Sequence, residues 1–136
     1  MGYDLLPRNK KSKGWDGNYA LMDIICSFME KAGVSKKILG KFDCNEGNYV
    51  KKNEALAIAD KLERFLDENL VFIYAAGKLV VRTEKILMNI DKENRLAGWD
   101  GKERKDITVI KKGDELWQEI RNFIKFCRES SGFWVW

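Results

Sequence analysis

Apolar residues recur along this chain in two rhythms, and the rhythms place most of its elements. From Asn18 to Ala32, the residues Leu21, Ile24, Ile25, Phe28, Met29 and Ala32 return at steps of three and four, the stripe of one helical face. Asp16 or Asn18 can cap the start of this helix, and Gly33 follows its end as a left-handed stop residue should. A second stripe, Ala55, Ile58, Ala59, Leu62, Phe65 and Leu66, predicts a helix from Glu54 to about Leu66, preceded by Asn53. A third, Leu116, Trp117, Ile120, Phe123, Ile124 and Cys127, predicts a helix that Asp114 begins and Ser130-Ser131-Gly132 stops.

The remaining apolar segments are short. Gly2 to Leu6 reads as a strand that ends before Pro7, since proline cannot continue a central strand. An irregular stretch from Val34, with Gly40 and Gly47, predicts a turn or short hairpin leading to a brief strand at Asn48-Tyr49-Val50. Leu70 to Ala76 is a continuous apolar run, which periodicity alone does not assign. Beyond Gly77, the spacing of Leu79, Thr83, Ile86, Leu87 and Ile90 predicts a helix over 79–90. A charged loop follows from Asp91 to Asp106, then a short strand from Ile107 to Ile110. Phe133 to Trp136 reads as a final strand. There Phe133 and Val135 face one way, and Trp134 and Trp136 face the other. The sum is an α+β protein: a single globular domain over residues 1–136, with three to four helices packed on a small sheet that includes both chain termini.

Composition narrows the chemistry. With 45% hydrophobic and 34% charged residues in 136, the chain has the make-up of a globular domain able to bury a core without disulfides. It contains no histidine, which removes Ser-His and Cys-His nucleophile systems and the histidine-bearing zinc sites. Neither GxGxxG nor GxxxxGK[ST] occurs, and the acidic positions lack the spacing of a calcium loop. The sequence therefore predicts no enzyme, no metal and no cofactor. No apolar stretch approaches the length of a membrane span, and the start lacks a charged-then-apolar leader. Three widely spaced cysteines fit a reduced, cytoplasmic setting, with Cys26 and Cys127 on apolar faces and Cys44 on a loop.

What remains is aromatic and basic. Gly14-Trp15-Asp16-Gly17 returns as Gly98-Trp99-Asp100-Gly101, in both copies a predicted turn with aspartate accepting backbone N–H groups. Each tryptophan either folds over the core or stands ready to stack on a base or anchor a partner. Basic clusters lie at Arg8/Lys10/Lys11/Lys13, Lys51/Lys52, Lys102/Arg104/Lys105 and Lys111/Lys112, within a net charge of +4. Solvated loops are the plain account of them. Convergence near Trp15 and Trp99 would instead make a nucleotide or single-stranded nucleic-acid pocket. The candidate binding residues are Trp15, Trp99, Lys102, Arg104, Trp134 and Trp136.

Three motifs carry a resemblance: Met1-Gly2-Tyr3-Asp4-Leu5 at the start, Asn45-Glu46-Gly47-Asn48-Tyr49-Val50 before the alanine-bearing helix, and Phe123-Ile124-Lys125-Phe126-Cys127-Arg128 followed by Gly132-Phe133-Trp134-Val135-Trp136. The chain resembles a group of small proteins of bacterial viruses and prophages that has no assigned activity. The match covers about a third of the chain, and Ser131 stands where the group commonly has glycine. The resemblance implies a context rather than catalytic residues: a viral protein in the host cytoplasm. Three uses follow from that context. The chain occupies the surface of a host immune effector, as anti-CRISPR proteins do, or sequesters a signalling nucleotide, or is an enzyme of another type. The C-terminal strand could also join copies of the chain into a homo-oligomer.

Overall fold

The computed structural model describes residues 2–43, 47–75, 78–82 and 107–136. Its first sheet has four antiparallel strands: β1 (Gly2–Pro7), β2 (Trp15–Asn18), β3 (Asn48–Lys51) and β7 (Gly132–Val135). Their order is β2-β1-β7-β3, so both chain ends lie side by side at its centre. Leu5 pairs with Val135 and Leu6 with Trp134. Backbone exchange continues past the strand, from Asp4 N–H to Trp136 O and from Trp136 N–H to Asp4 O. These bonds hold a terminus that would otherwise fray.

A second antiparallel sheet orders β5 (Lys78–Arg82), β4 (Val71–Ala75) and β6 (Ile107–Lys111) as β5-β4-β6. Two sheets thus replace the one expected. The segment expected to be helical from Leu79 is a strand as far as Arg82, paired antiparallel with β4, Tyr74 opposite Leu79. Helical spacing over this stretch was matched by few residues, and Val80-Val81 favours a pleated neighbour. The rest of that expected helix, and the 91–106 loop, lie outside the described residues.

The main helices are α1 (Tyr19–Ala32), α3 (Lys52–Glu68) and α4 (Glu115–Glu129). Asn18 caps α1 by accepting the Leu21 N–H at 2.7 Å, and Gly33 ends it with φ 94°. Where a turn or hairpin was expected after Val34, a four-residue helix α2 (Lys36–Leu39), capped by Ser35, runs into a 3-10 turn at Gly40–Phe42. Asn53, expected to precede α3, lies within it. The helix begins earlier, with Lys51 at the N-cap, and the Glu54 carboxylate reaches back to accept the Lys51 N–H at 2.9 Å.

One core joins these layers, drawing on Leu5, Trp15, Val50, Phe133 and Val135 from the first sheet and Phe72, Leu79 and Ile110 from the second. The helical stripes fill it with Ile25, Phe28, Ile58, Leu62, Ile120 and Phe123. Edge-on and tilted rings link the parts: Trp15 with Phe123 at 5.4 Å, Phe126 with Phe133 at 5.1 Å, and Phe28 with Phe72 at 4.9 Å. On the outside, Arg128 clasps α3 to α4 through Asp60 at 2.8 Å and through Glu63. No helix among the described residues is long and apolar enough to cross a membrane.

Candidate functional site

Alternation along the first sheet sends one set of side chains into the core and leaves the other set outside. Phe133 and Val135 are fully buried, while Trp134 is 37% and Trp136 48% exposed, as the spacing predicts. Register brings neighbours to the tryptophans. Leu6, itself 48% exposed, lies opposite Trp134 on one side, and Tyr49 lies opposite it on the other. The Trp134 and Tyr49 rings pack at 4.9 Å with a tilt of 42°. Leu6, Trp134 and Tyr49 therefore form a row across three strands, with Trp136 just past the end of β7.

Two glycines let these rings lie down on the sheet. A Cβ at Gly47 would stand 2.8 Å from the Trp136 indole, and one at Gly132 would stand 2.6 Å from the Tyr49 hydroxyl. Both glycines have positive φ, 91° and 100°, so a side chain is excluded by conformation as well as by space. Aromatic cover over glycine keeps the rings ordered although they face outward.

The two ends of this face carry opposite charge. At one end Asp4 and Asp16 sit directly opposite each other, both exposed. At the other end Arg8 donates its backbone N–H to Gly132 O at 2.8 Å, while Lys51 pairs with Gly132 from β3. Arg8 also reaches the Tyr49 hydroxyl at 3.5 Å. The turn after Arg8 brings Lys10, Lys11 and Lys13, all exposed, and Asn9 fastens it to the end of α4. Asn9 donates its backbone N–H to Ser130 O at 2.8 Å and its side-chain amide to Glu129 O at 3.0 Å. Arg8 and Lys51, one from each of two basic clusters, thus flank Gly132 beside Trp134 and Tyr49. Lys102, Arg104 and Trp99 lie outside the described residues.

Trp15 is the clear correction. It is 8% exposed, turned inward against Phe123, and cannot receive a ligand. Its Trp-Asp-Gly segment is not a turn but strand β2, paired Leu5 to Trp15 and Tyr3 to Gly17. Gly17 is needed because a Cβ there would lie 2.5 Å from the Trp15 ring. Leu6 and Tyr49 were missed as members of the face. Leu6 does alternate with buried Leu5, a signal available in the sequence, but only the pairing puts Tyr49 beside Trp134.

Among the described residues two clefts are found, one at the acidic end of this sheet and one beside α1, and both are lined with acids. One is bordered by Asp4, Asp16 and Asn18, the other by Asp23, Cys26, Glu30 and Asp43. Burial, reinforced by Asp23 and Asp43, pushes the Cys26 thiol up to about 12, so it stays protonated at neutral pH. Burial likewise raises the thiol of Cys127, which is fully enclosed in the core. Cys44 lies outside the described residues. We found no protein-family model, curated protein or solved structure that matches this chain.

Proposed function

We propose that the chain is a non-catalytic binding protein whose working surface is the outer face of the first sheet. One observation carries this reading: Leu6, Tyr49, Trp134 and Trp136 stand together, ordered and outward, on a sheet whose other face already completes the core. Nothing in the packing of the interior requires exposed indoles there, and a contiguous apolar patch on an ordered element marks a contact surface. The viral resemblance supplies the setting, a host cell in which the protein covers a macromolecule of the defence machinery, with an immune effector as the partner that setting implies.

The sequestering alternative draws less support. A signalling nucleotide is held in a concave site with phosphate-binding groups, whereas the two clefts among the described residues are bordered by carboxylates that repel phosphate. Trp15, one of the two tryptophans assigned to that pocket, is in the core.

The test compares wild type with Trp134→Ala/Trp136→Ala as baits in host extract, alongside light scattering for the oligomeric state. The expected variant keeps its circular dichroism and its monomer or oligomer fold, and loses a partner that wild type retains. Equal retention by both baits, together with an unchanged oligomer, would remove this face from the function.

A further inference from the structure

The charge at one end of the aromatic face says what kind of partner fits it. Arg8, Lys10, Lys11, Lys13, Lys51 and Lys52 are exposed, and none of them forms an ion pair among the described residues. Glu54, two residues beyond Lys52, is already engaged by Lys41 at 2.6 Å. Glu129 is also exposed, at the end of α4 that Asn9 holds. Arg8, just past the end of β1, and Lys51, at the end of β3, flank Gly132 from its two sides, their backbones about 10 Å apart across two strand spacings.

Resting on the binding-face reading above, we infer that this face takes single-stranded nucleic acid. Bases lie over the Leu6–Trp134–Tyr49 row and Trp136, and the phosphates run along the Arg8/Lys51 end and its lysine turn. The pieces match the needs of such a ligand. Trp134 and Trp136, at positions i and i+2, are about 7 Å apart along the extended chain end, a spacing that an extended strand with unstacked bases can follow. Indole and phenol rings stack on any base, which gives affinity without sequence preference. A duplex hides its base faces and cannot use the platform. Asp4 and Asp16 close the far end to phosphate and so give the strand a single side on which to lay its backbone. The basic turn costs little to organise on binding, because Asn9 already holds it against Ser130 and Glu129.

Fluorescence anisotropy with labelled twelve-nucleotide single strands, dT and rU, and a duplex of equal length tests this directly. Single strands should bind with a log–log salt slope of about −4 if all six cations engage. Replacing Lys10, Lys11 and Lys13 by Gln should roughly halve that slope. Trp134→Ala should weaken binding by about ten- to a hundredfold, and Trp134→Phe should restore most of it, which controls for folding. Duplex binding as tight as single-strand binding, or single-strand binding indifferent to Trp134→Ala and Trp136→Ala, would overturn the inference. So would the absence of single-strand binding at low salt. In that last case a partner lost by the double variant in host extract would still sustain the broader binding-face reading, with a protein as its occupant.

Discussion

Ser131 shows how much a single backbone angle can say. It is the non-glycine residue with positive φ among those described, at 58°, immediately before Gly132 at 100°. An L-residue in this region costs about 1–2 kcal/mol against glycine, part of which glycine returns through a freer unfolded chain. Ser131→Gly should therefore stabilise the protein by up to about 1 kcal/mol in urea unfolding, and a loss of stability would show that the serine side chain is needed there. Ser130 beside it is structural too: its hydroxyl donates to Cys127 O at 3.1 Å and accepts the Gly132 N–H at 3.2 Å.

At the scale of elements, the start of α3 is held by one partly buried ion pair, Lys41 with Glu54. Burial works to raise the Glu54 pKa, but the hydrogen bonds from Lys41 and the Lys51 N–H outweigh it and hold the carboxyl below its ordinary 4.5. A carboxyl depressed in the folded state stabilises above its unfolded pKa, and that contribution is lost as pH falls through the folded value. Wild type should thus lose stability on acidification below about 4.5 more steeply than Glu54→Gln, while at neutral pH the variant should be weaker by about 1–2 kcal/mol. Parallel acid profiles for the two proteins would exclude this role. Glu54 also links three elements, since Lys41 donates to both Glu54 and Tyr49 O at 2.9 Å. The 3-10 turn, β3 and the first turn of α3 are therefore pinned at one point. That point supports the strand carrying Tyr49.

Across the whole molecule, the first sheet divides its tryptophans between two tasks. Trp15→Ala would empty a core site against Phe123 and should cost about 3–5 kcal/mol, whereas Trp134→Ala on the outer face should cost far less. Denaturant midpoints of the two variants settle this. Comparable losses would mean that the outer face is structural, and the proposal built on it would fall.

The three long helices and the final strand were legible in the sequence because their signals are local. A stripe at three- and four-residue steps, with Asn18 before it and Gly33 after it, describes α1 whatever surrounds it. Alternation alone places Phe133 opposite in sense to Trp134. The segment beginning at Leu79 was misread because a short apolar run suits a helix or a strand, and the presence of β4 alongside decides between them. Trp15 was open for the same kind of reason: a tryptophan between two glycines says nothing of which side of a sheet it will face until Leu5 pairs with it. The candidate surface lies furthest from local signals. Leu6, Tyr49 and Trp134 come from three remote parts of the chain, and Arg8 meets Lys51 only across Gly132. Periodicity and caps determined which residues form helices and which flank of the last strand is apolar. Only the pairing of strands remote in the chain decided which aromatics and cations share a face, because register is a long-range choice made by the buried side of the sheet.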